Sequence, residues 1–130
     1  MAANEGMSAE QQAALKRSLV LVQDLLALSF VQKHDTRFDG EVAFVAPTTN
    51  QAEVTAVVER YLPPAVKAAG APTSPELAAG SLCKAMGGIR GNQTLFLKEL
   101  GGGLSFYVAY WPWGNGQRFT IKIGVHTPST

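Results

Sequence analysis

The sequence contains very little cysteine, since Cys83 is the only one among 130 residues. A single cysteine excludes an internal disulfide, and it also excludes the cysteine clusters that hold structural zinc. We expect Cys83 to pack as a small buried hydrophobe. Such sparse cysteine is typical of a reducing compartment, so we expect a cytoplasmic protein.

An excess of charge of either sign is lacking as well. Lysine and arginine total 11, aspartate and glutamate total 10, and the formal net charge is +1. Domains that bind nucleic acid or acidic membranes carry a dense basic surface. We therefore expect neither nucleic acid nor a membrane as a partner. The expected partner is another protein or a second copy of this chain, as a homodimer.

The chain also lacks an apolar run long enough to cross a bilayer. The most apolar run, Leu19–Val31, contains Gln23 and Asp24, whereas a spanning helix needs about 20 apolar residues. The first residues have no basic segment of the kind that opens a signal peptide. We predict a soluble protein with a flexible leader at residues 1–7 and a single α+β domain at residues 8–130.

No motif in the sequence specifies an enzyme. The two histidines, His34 and His126, have no nucleophile beside them, and the carboxylates are dispersed. The glycine-rich segment at residues 87–92 lacks the lysine and hydroxyl of a P-loop, so it predicts a helix end followed by a turn. We expect no catalytic residue, no metal site and no cofactor.

The first helix is predicted from a capping box at Ser8 and Gln11 and is expected to continue to about Lys33. It carries two adjacent apolar stripes: Leu15, Leu19, Val22, Leu26 and Phe30 in one, and Leu21, Leu25 and Leu28 in the other. Together the stripes are wider than one contact with a sheet requires. The helix is therefore either central in the fold or shared with a second subunit.

A second amphipathic helix is predicted for residues 50–69, after a short strand at residues 42–45. Asn50 and Glu53 have the spacing of an N-cap pair. Pro63 and Pro64 predict a break or kink near Leu62, followed by a short continuation to Ala69, because each proline lacks a backbone donor and clashes with the preceding turn. Ser74-Pro75 predicts the start of a third, shorter helix.

The C-terminal third changes to a period of two, which predicts a three-stranded antiparallel meander. A two-residue turn at Asn115-Gly116 sets the register of its hairpin. Three apolar pairs then share one face: Tyr110 with Ile121, Val108 with Ile123, and Phe106 with Val125. A slip of one residue would turn polar groups toward the core. The same parity, carried through the glycines at 101–103, places Leu95 and Leu97 on this face.

These elements predict an α+β fold in which two to three N-terminal helices pack on one face of a mainly antiparallel sheet with a C-terminal three-stranded meander. The strand at residues 42–45 either joins the edge of the meander or lies apart from it. The element order is similar to that of cone-shaped α+β ligand-binding folds, and this resemblance concerns the order alone.

The other face of the meander is predicted to carry aromatic and cationic side chains. Indole rings offer a large contact area, and a cation can stack on them. Our first hypothesis is a non-catalytic protein–protein interaction or homo-oligomeric module that binds through this face. Its binding residues would be Phe96, Tyr107, Trp111, Trp113, Arg118 and Lys122. The structural alternative is that a helix or the loop around Pro112 covers these rings.

A second hypothesis is a small-molecule-binding protein or an enzyme with a pocket between the sheet and the second helix. The pocket would be lined by Phe44, Tyr61, Phe106 and Tyr110, with His34 or Asp35 as the polar group at its mouth. A third hypothesis is a dedicated inhibitor or immunity-type binder, which no feature of the sequence favours or excludes.

Overall fold

The computed structural model describes residues 9–34, 41–71, 89, 91–101 and 104–126. Within these ranges the chain forms two α-helices and five β-strands. They are α1 (Ala9–Leu26), β1 (Gln32–His34), β2 (Glu41–Pro47), α2 (Gln51–Val58), β3 (Thr94–Gly101), β4 (Leu104–Pro112) and β5 (Arg118–His126). The predicted leader, the predicted third helix and Cys83 lie outside the described residues.

The five strands form one antiparallel sheet in the order β1-β2-β5-β4-β3. The mixed α+β class and the C-terminal meander are confirmed. The strand predicted at residues 42–45 is the longer β2, and it joins the meander at β5. The pairing of β2 with β5 therefore links the two halves of the sequence within one sheet.

One face of the sheet, which we call the helix-covered face, packs against α1 and α2. The helices contribute Leu21, Leu25, Val54, Val57 and Val58, all buried. The strands contribute alternate residues, as expected for a half-buried antiparallel sheet: Phe44, Ala46, Phe96, Phe106, Val108, Tyr110, Phe119, Ile121 and Ile123. We call the opposite side of the sheet the outer face.

The hairpin of β4 and β5 has the predicted register. Tyr110 lies opposite Ile121, Val108 opposite Ile123, and Phe106 opposite Val125. The predicted two-residue turn is wrong. Of the two central residues, only Gly116 has a positive φ, at 71°, whereas a type I′ turn requires positive φ at both. The Gly116 amide instead donates to the Trp113 carbonyl (2.9 Å), and the five residues 113–117 connect the two strands.

The predicted face of β3 is also wrong. Phe96, not Leu95 or Leu97, lies opposite Val108 and enters the helix-covered core. The register of β3 on β4 shifts between Glu99 and Gly101, as a β-bulge does. Because side chains alternate along a strand, a shift of one residue moves every preceding side chain to the other face.

The first helix ends earlier than predicted. Beyond Leu26 the amide of Leu28 bonds to the Leu25 carbonyl (3.1 Å), so the last turn tightens, and Val31 enters the core. The segment predicted as the helix C-terminus instead forms β1, which pairs with β2. Tertiary pairing thus overrides the apolar stripe that continued to Phe30.

The second helix has the break predicted near Leu62 but lacks the predicted continuation beyond it. Helical turns end at Leu62, whose amide bonds to the Val58 carbonyl (3.0 Å). The predicted continuation to Ala69 is wrong, because the chain after Pro64 runs beside β3 and Lys67 forms a bridge with Leu95. Asn50 precedes the helix without a capping hydrogen bond to its backbone, and its side chain donates to Glu53 (2.9 Å).

Lys67 is buried, at 2% exposure, beside the edge of β3. Its ammonium donates to the carbonyls of Gln93 (2.8 Å), Gly91 (2.8 Å) and Ala68 (3.1 Å). An ammonium has three donors, so these contacts satisfy all of them. Lys67 therefore joins the two ends of the chain segment between Ala68 and Gly91.

Candidate functional site

The centre of the outer face is buried. Leu95, Tyr107 and Ala109 form a second apolar cluster there, with Ile89, Leu97 and Trp111 packed against it. The Tyr107 ring lies across Gly124, so that a Cβ added at Gly124 would be 2.7 Å from the tyrosine hydroxyl. Most of this face is therefore closed to a partner.

The outer face is exposed to solvent at the hairpin end of β4 and β5, near residues 111–120. Trp111, Thr120 and Lys122 are half-buried there, and Trp113 and Arg118 are exposed. We call these five residues the indole hairpin surface. Two contacts fix its rings: the Trp113 Nε1 donates to the Thr120 hydroxyl (2.9 Å), and the Lys122 ammonium lies 4.0 Å from the centroid of the Trp111 ring.

The backbone beneath this surface is held on both sides. The Trp113 amide donates to the Arg118 carbonyl (2.9 Å), and the Gln117 amide donates to the Asn115 side chain (2.9 Å). The neighbouring Thr48 amide donates to the Gln117 carbonyl (2.9 Å). A surface fixed in this way loses little conformational entropy when it binds.

The electrostatic character of the surface follows from the sequence. Residues 100–130 contain no aspartate or glutamate. Among the described strand residues, the acidic positions of the outer face are Glu41 and Glu99, which pair with Gly124 and Ser105 at the far end of the sheet. Arg118 is exposed, and within the described residues its guanidinium has no ion-pair partner. This end of the outer face is therefore cationic.

The structure brings together four of the six predicted binding residues, namely Trp111, Trp113, Arg118 and Lys122. Tyr107 lies on the predicted face but is only 7% exposed, so its ring is part of the outer cluster. Phe96 is on the wrong face for the prediction and packs in the main core. Sequence reasoning did not assign a role to Thr120, although its register opposite Trp111 was a usable signal.

The apolar residues predicted to line a pocket belong to the main core. Phe44, Phe106 and Tyr110 are at most 1% exposed, and they pack together with residues of both helices. Tyr110 contacts Phe96 and Phe119 edge-on, at centroid distances of 5.3 Å and 5.0 Å. Its hydroxyl also bonds to Thr55 of α2 (2.9 Å). Burial raises the pKa of Tyr110 far above its ordinary value.

Of the remaining residues of the predicted pocket, the structure describes Tyr61 and the backbone of His34. Tyr61 is half-buried, and its hydroxyl donates to the Asp24 carboxylate of α1. This hydrogen bond, which favours the neutral phenol, raises the pKa of Tyr61. His34 pairs with Ala43, a register position of the outer face. Asp35 lies outside the described residues.

The described residues form neither a metal site nor a membrane-spanning helix. No three or more histidine, cysteine, aspartate or glutamate side chains come close enough there to hold a metal ion. Neither described helix has the length and apolar character needed to cross a membrane.

Comparison with known proteins gives no relative from which a function could be transferred. No protein-family model, curated protein or solved structure matches this chain.

Proposed function

We propose that this protein is a non-catalytic interaction module that binds another protein, or a second copy of itself, through the indole hairpin surface. The observation that carries the proposal is the exposure of Trp113 at 39%, with its ring held in place by Thr120. A large aromatic ring that is both exposed and fixed is typical of a residue that dominates binding energy.

The polar contacts inside the fold support a binding role over a catalytic one. The two tyrosines with raised pKa values, Tyr61 and Tyr110, hold helices to their neighbours. A raised pKa makes a phenol harder to ionise, whereas a nucleophile or general base needs its reactive form near neutral pH. Phe44, Phe106 and Tyr110 fill the space between the sheet and the helices with packed rings.

The test is the effect of Trp113→Ala on association. Sedimentation velocity over a range of concentrations would detect self-association, and affinity capture with the full chain would detect another partner. We expect the variant to keep its circular dichroism spectrum and to lose association, because it removes the exposed ring and leaves the buried cores intact.

Leu26→Ala is the matched control. Leu26 is also an exposed apolar residue, at 49%, but it lies on α1. If Leu26→Ala abolished association and Trp113→Ala did not, the interface would be the first helix and the proposal would be wrong. A strictly monomeric protein with no Trp113-dependent partner would also contradict it.

A further inference from the structure

We infer that the partner bound by the indole hairpin surface is an acidic peptide segment that carries aliphatic residues between its carboxylates. The inference rests on the proposed function, since it specifies the ligand of the same surface. It is drawn from the charge of this end of the sheet and from the position of Arg118 beside Trp113.

The charge of the surface selects an acidic ligand. Arg118 lies directly opposite Trp113, whose amide bonds to the Arg118 carbonyl. A guanidinium offers parallel donors that match a carboxylate, and such charged hydrogen bonds are about twice as strong as neutral ones. Because residues 100–130 contain no acidic side chain, a carboxylate approaching the hairpin meets no negative charge from this segment.

The indole selects an aliphatic neighbour for that carboxylate. Trp113 already uses its Nε1 in the hydrogen bond to Thr120 (2.9 Å). The exposed part of the ring therefore offers apolar surface without its N–H donor. An aliphatic side chain next to a carboxylate would cover this ring while the carboxylate reaches Arg118.

The same observations favour a peptide over single-stranded nucleic acid. Grooves for single strands combine several stacking rings with a basic track along the backbone. Here Trp113 is the only exposed ring of the surface, and Trp111 is half-buried with Lys122 over its face. One platform with one exposed arginine fits a short acidic segment better than a polynucleotide backbone.

The experiment is a fluorescence anisotropy titration of the full chain with short labelled peptides. In the first peptide, pairs of glutamates alternate with single leucines. Matched peptides replace each glutamate with glutamine, each glutamate with lysine, or each leucine with glycine. An oligothymidine strand of similar length is the remaining probe. We expect only the glutamate–leucine peptide to bind appreciably, and to bind more weakly as salt is raised.

Two variants locate the binding. We expect Arg118→Glu to lower the affinity for the glutamate–leucine peptide about tenfold or more, because one charged hydrogen-bonded pair is lost. Lys16→Glu makes the same change of net charge at an exposed position of α1, and we expect less than about a twofold effect from it. Trp113→Ala should also lower the affinity for this peptide, and it should leave the thermal midpoint of unfolding nearly unchanged.

Three other results would contradict the acidic ligand, and each has a different meaning for the proposed function. Equal binding of the glutamine peptide would mean that the surface is an apolar interface without acidic specificity, and the proposed function would survive. Tighter binding of oligothymidine, lost in Arg118→Glu, would assign the surface to nucleic acid. If no probe binds while Trp113→Ala still abolishes association of the full chain, the acidic ligand is wrong and the interaction module is not.

Discussion

The two faces of the sheet differ in how completely the chain covers them. The helix-covered face is one continuous core, and three of its large side chains, Phe44, Phe119 and Ile121, are at most 1% exposed. The outer face has a smaller buried cluster and then opens at the hairpin, where Trp113 is exposed. The helix-covered face supplies most of the buried apolar area, and the rim of the outer face offers a fixed aromatic surface for recognition.

The difference also appears in how each face uses its aromatic residues. On the helix-covered face Tyr110 stacks edge-on with two phenylalanines and bonds to Thr55. At the hairpin Trp111 and Trp113 instead contact Lys122 and Thr120, side chains of the adjacent strand. Rings of the first kind stabilise the fold, whereas rings of the second kind are held in place with part of their surface left exposed.

The largest expected effect tests the difference between the two faces with a pair of neighbouring substitutions on β3. Phe96→Ala removes a core ring and should lower the free energy of unfolding by about 3–5 kcal/mol. Leu97→Ala, on the half-buried outer face, should cost about 1–2 kcal/mol. Urea unfolding of both variants measures the difference, and a reversed order would mean that the bulge near Leu100 is absent and β3 faces the other way.

The next largest loss of stability is expected at Lys67, beside the edge strand β3. Lys67→Met keeps the length of the side chain but removes three hydrogen bonds of the ammonium, among them the buried one to the Gln93 carbonyl. We expect a loss of about 2–3 kcal/mol in the free energy of unfolding. Lys16→Met, at an exposed lysine of α1, is the control and should change it by less than about 0.5 kcal/mol. Equal effects would show that the ammonium contacts contribute little.

A smaller effect is expected at the centre of the outer face. Gly124→Ala places a Cβ within 2.7 Å of the Tyr107 hydroxyl, so the buried ring must move. We expect a loss of about 1–2 kcal/mol, as for an overpacked site. Gly91→Ala is the matched control, because an added Cβ there meets nothing within 4 Å. A thermal midpoint for Gly124→Ala equal to that of the control would contradict the packing of Tyr107 on this strand.

The smallest expected effect is the dependence of the unfolding free energy on alkaline pH. Tyr61 and Tyr110 have raised pKa values in the folded protein, so above about pH 10 the unfolded chain releases protons that the folded chain retains. The free energy of unfolding must then fall as pH rises, by at most about 1.4 kcal/mol per pH unit for Tyr110. Urea unfolding at increasing pH measures this slope, which Tyr110→Phe should reduce.

Comparison with a substitution on the other face completes the alkaline test. Trp113→Ala changes no titrating group and should leave the slope unchanged. A slope unaffected by Tyr110→Phe would contradict the burial of that phenol, because an exposed tyrosine ionises equally in the folded and unfolded chain.

Much of the sheet could be predicted from the sequence, and the failures share one physical origin. The register of β4 and β5 follows from alternation, since only one pairing places three apolar pairs on one side. The face of β3 could not be predicted, because a bulge of one residue reverses the parity without leaving a clear mark in the sequence. That error assigned Phe96 to the binding surface.

The helix boundaries and the buried lysine failed for a related reason. The apolar stripes predicted helices to about Lys33 and to Ala69, but β1 and the Lys67–Leu95 bridge form in those segments instead. Strand pairing satisfies the backbone groups of these segments through partners distant in sequence. Local periodicity contains no information about such partners, so it also gave no sign that Lys67 would be buried.

The sequence by itself determined the α+β class, the antiparallel meander and the side of the hairpin on which Trp111 and Trp113 lie, because these depend on local period and alternation. Only the tertiary structure decided which part of the aromatic face stays exposed. Exposure depends on what packs over a side chain, and a residue distant in sequence, Ile89, packs against the buried cluster of the outer face.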